Sequence, residues 1–208
     1  QPHKPLKVYP DISTLKAAMP GKVEAVYQYT NPKTHKAEML VLRSMMTDGK
    51  TFRQARPVSG GFVFEAPPKP WPLYNRIRIQ TADTVVVVEG ELCVHALNLY
   101  GIISTTSSCG AGKGEYTDWT PLAGKNVILW PDSDGQGLAH MQQVEQILQG
   151  FEPQPRISSL EPGDIGLKAK EDAVDFIKKL KTTDKAQIQT ALVEALKHLS
   201  CQRYRFSL

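Results

Sequence analysis

The first 80 residues contain short stretches in which apolar and polar residues alternate, as they do in half-buried β-strands. Turn-forming segments such as "NPKTHK" separate these stretches, and a proline-rich connector, "APPKPWPLY", follows them. The pattern therefore predicts a small β-rich unit at the front of the chain, with strands in "EAVYQYT", "EMLVLRSM", "KTFRQARP" and "GGFVFEAP".

From residue 84 onward, short apolar runs alternate with segments of helical periodicity. The runs suit strands of a parallel sheet that is buried on both faces: "TVVVVEG", "GIISTTS", "KNVILWPDSDG" and "PRISSLEPGD". The helical segments are "GLAHMQQVEQILQG" and "ELCVHALNLYG", in which Leu92, Ala96 and Leu99 recur at helical spacing. Alternation of strands and helices predicts an α/β fold with a parallel sheet.

These patterns divide the chain into three predicted parts. A β-rich N-terminal subdomain covers residues 1–82, an α/β domain covers residues 83–167, and a helical tail covers residues 168–208. The hydrophobic content of 41% and charged content of 22% are ordinary for a globular protein. No apolar run approaches the ~20 residues that span a bilayer, so no membrane association is expected.

The three cysteines are far apart and form no CxxC pair: Cys93, Cys109 and Cys201. This odd number and wide spacing argue against a disulfide framework and against a cysteine-based zinc site. We therefore expect free thiols and a cytoplasmic location.

Charge is distributed unevenly along the chain. Residues 1–80 contain 13 Lys and Arg against 5 Asp and Glu, whereas residues 81–155 contain 2 against 9. A basic front part attracts phosphates, and an acidic middle repels nucleic acid unless cations bind there. The uneven distribution therefore suggests a phosphate-binding front part beside a cation-binding middle part.

Acidic residues follow two of the apolar strands. Glu89 and Glu91 come directly after "TVVVV", and Asp132 and Asp134 come directly after "NVILW" and a proline. Ligands of open parallel sheets bind beyond the carboxyl ends of the strands, so these acids are expected to converge there. Clustered carboxylates need protonation or a cation, and hard oxygen ligands of this kind suit Mg²⁺.

Each acidic motif also has a structural interpretation by itself. Glu89 and Glu91 would interact favourably with the dipole of a following helix, and Asp132 and Asp134 would provide an N-cap and a turn. The occurrence of both motifs in one α/β unit favours the metal site.

The backbone around these acids carries its own predictions. The Asp-x-Asp spacing of an extended segment would place both aspartates on one side. Three glycines beside the acids are expected to let the backbone turn sharply: Gly90, Gly135 and Gly137.

The segments "VVVVEGELCVHAL", "GIISTTSSCGAGKG" and "GKNVILWPDSDGQGLAHMQQVEQIL" together resemble a Toprim domain, which primases, topoisomerases, OLD-type nucleases and RecR-like repair proteins share. Upstream, "AVYQYTNPKTHKAEMLVLR", "KTFRQARPVSGGFVFE" and "PWPLYNRIRI" resemble the basic β-rich subdomain that precedes Toprim in primases of mobile elements. The resemblance covers roughly residues 22–160 and points to the phage and plasmid primase type.

The resemblance implies a Toprim-like parallel sheet flanked by helices, in the catalytic core of a DNA primase. Such a core is a nucleotidyltransferase of DNA replication that synthesises short RNA primers on single-stranded DNA. The family's acids correspond to Glu89, Asp132 and Asp134, which would be the catalytic residues and hold Mg²⁺ or Mn²⁺, with Glu91 as a further ligand or neighbour. Whether Glu89 binds metal or acts as a general base stays open.

The end of the Toprim pattern resembles "EPGDIGLKAKEDAVDFI". The resemblance does not decide which acid of this segment joins the site, and the candidates are Asp164, Asp172 and Asp175.

The candidates for binding nucleotides or nucleic acid share a basic side chain: Lys50, Arg53, Arg56, Arg76, Arg78 and Lys113. Arg76 and Arg78 alternate with isoleucines, which predicts one face of an extended segment. Lys113 lies in "GAGKG", which does not satisfy the P-loop pattern GxxxxGK[ST], so a contact with one phosphate is its most specific functional interpretation.

The implied partners are a single-stranded DNA template and ribonucleoside triphosphates. A zinc-binding module and a replicative helicase are expected as attached domains or separate proteins. Two other functions stay open: a Toprim-type metal-dependent DNA nuclease that uses the same acids, and a non-catalytic nucleic-acid-binding module. The intact acids argue against the module, and the basic front part favours a primase over a nuclease.

Overall fold

A computed structural model describes residues 6–108, 110 and 112–197, and the backbone of 199–200. Its front part is an antiparallel sheet in the order β1-β2-β3-β4, as the alternating stretches predict. The strands are β1 (Lys22–Thr30), β2 (Ala37–Met46), β3 (Gly49–Val58) and β4 (Gly61–Val63). Helix α1 (Ile12–Ala17) packs on one face of this sheet through Leu15.

The second part is a five-stranded sheet in the order β6-β5-β7-β8-β9. The first four strands are parallel: β5 (Thr84–Val87), β6 (Ser104–Thr105), β7 (Asn126–Leu129) and β8 (Arg156–Leu160). The last strand, β9 (Leu199–Ser200), pairs antiparallel with β8. The sheet therefore confirms the predicted α/β architecture.

Five helices accompany this sheet: α2 (Arg76–Ile79), α3 (Glu91–Leu99), α4 (Gly135–Gln149), α5 (Ala173–Lys179) and α6 (Lys185–Ala195). The predicted helices of the α/β unit and of the tail are confirmed, except that Leu199–Ser200 of the tail form β9. None of the helices in the part of the chain that the structure describes has the length and apolarity to cross a bilayer.

Strand β5 is buried on both faces, which explains its run of four valines. Val86 and Val88 pack in one hydrophobic core, while Val85 and Val87 pack in a second core with residues of α4. Such two-sided burial is typical of a central parallel strand.

Strand β2 is also buried on both faces, and it packs against the second sheet with one of them. Met39 and Val41 pack in the core that contains Val86, whereas Leu40 and Leu42 pack in the core beneath α1. Because alternate side chains of a strand point to opposite faces, β2 is buried on both sides, and its odd-numbered residues face the second sheet.

The predicted helix α3 is confirmed, but two of the residues at helical spacing, Leu92 and Leu99, lie on its outer side and are 44% and 65% exposed. The buried face contains Glu91, Cys93, Val94 and Leu97, because the helix begins with Glu91 directed into the protein.

The prediction for "RIRI" is wrong. Arg76 and Arg78 lie in the single helical turn α2, not in an extended segment, and Ile79 is its buried residue. Cys93 is a free buried thiol, as expected, whereas Cys109 and Cys201 lie outside the described residues.

A buried hydrogen bond links the front sheet to helix α3. The Tyr29 hydroxyl of β1 donates to Glu91 Oε1 at the start of α3 at 2.7 Å, and Glu91 is only 6% exposed. Burial raises the pKa of Glu91, and the Tyr29 hydrogen bond opposes that rise. This contact therefore connects the position of α3 to the front sheet.

Glu91→Ala is expected to lower the free energy of unfolding by about 1–3 kcal/mol, because it removes the buried acceptor of the Tyr29 hydroxyl. Glu91→Gln keeps an acceptor oxygen and removes the charge. Since the folded state raises the pKa of Glu91, the wild type loses stability as pH rises through that raised pKa, and Glu91→Gln should lack this loss. Urea denaturation at several pH values measures both effects.

The matched control is Glu194→Ala, which removes a glutamate whose side chain is 58% exposed on α6. It should change the stability by less than about 1 kcal/mol. Equal stabilities of Glu91→Ala and the wild type would contradict the structural role of this contact.

Candidate active site

The acids after β5 and β7 meet because the two strands are adjacent, parallel and in register. Val87 pairs with Leu129, and the Trp130 N–H donates to the Val87 carbonyl at 2.9 Å. Beyond the strands, the Asp132 N–H donates to Glu89 Oε1 at 2.9 Å. The carboxyl ends of the strands therefore place these two acids together.

A cleft of about 490 Å³ opens above this point, between the front sheet and the α/β sheet. Four acidic residues line it: Glu89, Glu91, Asp132 and Asp172. The front sheet contributes cationic, aromatic and aliphatic residues to the same cleft: Tyr27, Val41, Arg43, Lys50, Thr51 and Phe52. The cleft thus combines an acidic wall with a basic and partly apolar wall.

Asp134 is close to the acids but serves mainly as a helix cap. Its carboxylate accepts the Gly137 N–H at 2.8 Å as the N-cap of α4. The segment is also bent, not extended, since the Asp134 N–H donates to the Asp132 carbonyl at 2.8 Å. Asp134 therefore does not line the cleft with Asp132, although its charge contributes to raising the pKa of Asp132 and Glu89.

The structure selects one acid from the tail. Asp172 lines the cleft and caps α5, with its Oδ1 accepting the Val174 and Asp175 N–H groups. Asp175 instead forms an exposed ion pair with Lys178, and Asp164 lies in a pocket beside α6. Of the three candidates, only Asp172 is brought to the site.

Asp132 is the acid most strongly perturbed. Burial, followed by the negative charges of Glu89, Asp172 and Asp134, raises the pKa of Asp132 to about 7, while Lys50 acts in the opposite direction. Burial also raises the pKa of Glu89, and the hydrogen bond from the Asp132 backbone opposes this rise. The cluster therefore holds more negative charge than its surroundings compensate, which is typical of a functional site.

The donor atoms of the cluster fit a divalent cation. Carboxylate oxygens are the protein ligands that Mg²⁺ prefers, and after burial the negative charges of Glu89, Asp172 and Asp134 contribute to raising the pKa of Asp132. Among residues 6–108, 110 and 112–197, no three His, Cys, Asp or Glu side chains are arranged to hold one ion by themselves. An ion bound at these carboxylates would therefore need further oxygen ligands, such as waters or phosphates.

The basic wall contains one predicted residue and one that sequence reasoning missed. Lys50 lines the cleft, as does Arg43, whose Nε donates to Glu24 at 3.2 Å. Arg43 follows Met39 and Val41 on the face of β2 that meets the α/β sheet. The sequence alone does not show which face of β2 meets the α/β sheet, because every residue from Met39 to Leu42 is apolar. The position of Arg43 in the cleft could therefore not be predicted.

The other predicted basic residues lie away from the cleft lining. Arg53 points to the opposite face of the front sheet, where its guanidinium carbon lies 4.0 Å from the Phe64 ring centroid. Three are engaged elsewhere or exposed: Arg56 pairs with Glu65, Arg76 pairs with Glu38, and Arg78 is exposed. Lys113 is exposed near the Tyr116 ring. Their roles in binding nucleic acid stay predictions.

Only one of the three glycines beside the acids has an evident steric requirement. A Cβ atom on Gly137 would overlap Glu89 Oε1 and lie 2.6 Å from the Asp132 carbonyl oxygen. Gly90 has an ordinary extended backbone, with φ of −139°, and a Cβ on Gly90 or Gly135 would meet open space. The expectation that all three permit sharp turns is therefore wrong, and Gly137 instead permits a close approach.

With this geometry established, comparison with solved structures shows which fold it is. The primase fragment of the bacteriophage T7 primase-helicase superimposes with a TM-score of 0.53 at 17% identity, covering 79% of this chain and 62% of that one. The zinc-binding and RNA polymerase domains of Aquifex aeolicus primase give a TM-score of 0.57 at 15% identity, covering 84% and 40%.

A third structure contains bacteriophage T7 lagging-strand DNA polymerase with primase domains bound to an RNA/DNA hybrid and dTTP. It gives a TM-score of 0.55 at 14% identity and covers 85% of this chain and 78% of that one. No protein-family model matches the chain, and no curated protein sequence matches it.

The fold is therefore that of primase catalytic cores, which confirms the predicted Toprim-like sheet with a β-rich part before it. The chain spans about 62% of the T7 primase fragment and 40% of the Aquifex protein. Identities below 20% establish the fold and leave the activity to the residues of the site.

The close approach at Gly137 gives a matched pair of variants. Gly137→Ala should destabilise the protein and displace the Glu89 carboxylate, even though alanine is favoured over glycine in helices by about 1 kcal/mol. Gly135→Ala, two residues earlier on the same helix, should be neutral or slightly stabilising. Urea denaturation measures the stability of both variants, and equal stabilities would contradict this interpretation.

Proposed function

We propose that this chain is the catalytic core of a DNA primase, which joins ribonucleotides on a single-stranded DNA template with the help of Mg²⁺ or Mn²⁺. The observation that carries the proposal is the cleft itself. Glu89, Asp132 and Asp172 face Arg43 and Lys50 across a space of about 490 Å³, in a chain with the fold of primase catalytic cores.

The acidic wall is the proposed metal site. Glu89 and Asp132 would hold the cation, and the negative charges of Asp172 and Asp134 would act on the same point. A bound divalent cation would neutralise charge on the transferring phosphoryl group and help to orient the attacking hydroxyl. Asp132 would be ionised in that state, since a nearby positive charge lowers the pKa of a carboxyl group.

The basic wall is the proposed triphosphate site. Arg43 and Lys50 are the cations that line the cleft. Phosphoryl transfer depends mainly on positioning and charge stabilisation, so these two side chains would hold the incoming nucleotide against the acids. The guanidinium of Arg43 suits two oxygens of a phosphate, and the ammonium of Lys50 acts as a point charge.

The proposed role of Glu91 is to position other residues of the site. Its hydrogen bond with Tyr29 connects the start of α3 to the front sheet, so it would position the acidic wall relative to the basic wall. A direct role as a metal ligand stays a prediction.

The partners follow from this activity. The structures with the same fold include primase domains bound to an RNA/DNA hybrid and a primase with its zinc-binding domain. We propose single-stranded DNA and ribonucleoside triphosphates as the ligands of this chain, with a zinc-binding module and a replicative helicase as further partners.

Extension of a diribonucleotide on a single-stranded DNA template, with labelled ribonucleotides and Mg²⁺ or Mn²⁺, tests the proposal. Starting from a diribonucleotide measures bond formation separately from initiation. Asp132→Asn should reduce extension by about 100-fold or more, on the scale of losing a group that stabilises charge in the transition state. Asp164→Asn is the matched control and should leave extension unchanged, because Asp164 lies beside α6, away from the cleft.

The same reaction distinguishes the other two functions. Metal-dependent shortening of the template without nucleotide incorporation would indicate a nuclease. Binding of the template with neither extension nor cleavage would indicate a non-catalytic module. Unchanged extension by Asp132→Asn would show that the acidic wall is not the reaction centre.

A further inference from the structure

Phe52 is a large apolar side chain that the fold leaves 41% exposed inside the candidate active site. It lies on β3, where Lys50, Phe52 and Gln54 share the face toward the α/β sheet. Gln54 donates to Ser108 Oγ at 2.9 Å, so the front sheet contacts the segment that follows β6 at that end. Phe52 therefore lies between this contact and Lys50, with its ring at the wall of the cleft.

The neighbours of the ring are cationic on one side and aliphatic on another. Arg43 is the cross-strand partner of Phe52, with its guanidinium carbon 6.0 Å from the ring centroid. Leu92 of α3 also lines the cleft and is 44% exposed. The Glu89 and Asp132 carboxylates belong to the same cleft.

These features correspond to the parts of one nucleotide. Cations suit its phosphates, carboxylates suit the metal that accompanies the phosphates, and an exposed aromatic ring suits its base. Single exposed apolar residues are common on protein surfaces, but this one lines a cleft whose volume of about 490 Å³ is in the usual range for small-ligand sites.

We propose that the Phe52 ring stacks on a nucleobase bound in the cleft beside Arg43 and Lys50. This inference rests on the proposed function and adds a residue that contacts the base. Because every base has a π-face, stacking on Phe52 would strengthen binding with little preference among bases. The base belongs either to the incoming nucleotide or to the template strand, and both present the same aromatic surface.

Equilibrium binding of a fluorescent nucleoside triphosphate with Mg²⁺ tests the inference. Phe52→Ala should weaken binding by about 5- to 100-fold, the effect of losing one base–aromatic stack. Phe52→Leu should not restore the affinity, because leucine is apolar but cannot stack, whereas Phe52→Tyr should restore it. Competition by inorganic tripolyphosphate, which has no base, should be the same for all four proteins.

The matched control is Phe64→Leu. Phe64 contacts the guanidinium of Arg53 on the opposite face of the front sheet, so this variant should keep the wild-type affinity. A second set of measurements uses a single-stranded oligonucleotide and an abasic oligonucleotide of the same length. If Phe52→Ala weakens only the oligonucleotide that has bases, the stacked base belongs to the template.

Equal affinity of Phe52→Ala and the wild type for both the nucleotide and the oligonucleotide would overturn the inference. If the wild type does bind nucleotide, that result leaves the proposed function intact. A wild type that binds neither nucleotide nor oligonucleotide would contradict the proposed function, and this inference with it.

Discussion

The burial of neighbouring carboxylates at the ends of β5 and β7 is the constraint on which the site depends. Adjacent parallel strands in register bring Glu89 and Asp132 together, and the Asp132 N–H hydrogen bond fixes the Glu89 carboxylate. The absence of a side chain at Gly137 leaves room for this contact. The backbone thus maintains an arrangement of charges that would otherwise separate.

The remainder of the structure supports this cluster from two directions. The apolar core that β2 shares with β5 holds the front sheet over the strand ends. The hydrogen bond from Tyr29 to Glu91 connects the same sheet to α3. As a result, Arg43 and Lys50 face the acids across the cleft, although they come from a distant part of the sequence. A ligand that combines phosphates with a bound cation would complement both walls, because its phosphates would pair with the basic wall and its cation with the acidic wall.

Much of the fold could be predicted because its signals are local. Partial alternation and turn-forming segments such as "NPKTHK" predicted the strands of the front sheet, and the apolar run at Val85–Val88 predicted a strand buried on both faces. The convergence of Glu89 and Asp132 followed from the rule for parallel strand ends. The N-cap interpretation of Asp134 is also confirmed.

What could not be predicted depends on tertiary contacts. The buried face of α3 could not be predicted, because it includes a glutamate, Glu91, that is buried together with its hydrogen bond from Tyr29. Arg43 was missed because its strand is apolar on both faces, and Arg53 was grouped with Lys50 although strand alternation places them on opposite faces. Of the candidate acids Asp164, Asp172 and Asp175, only Asp172 reaches the cleft. This outcome depends on the three-dimensional path of the chain and not on a local sequence pattern.

Binding of Mn²⁺, measured from the electron paramagnetic resonance signal of the free ion, tests most directly whether the acids form a cation site. Since the pKa of Asp132 is raised to about 7, the proton on Asp132 competes with the ion at low pH. The wild-type affinity should therefore rise between about pH 6 and pH 8, and Asp132→Asn should bind more weakly and without this pH dependence. Equal affinity of the two proteins across that range would contradict the account.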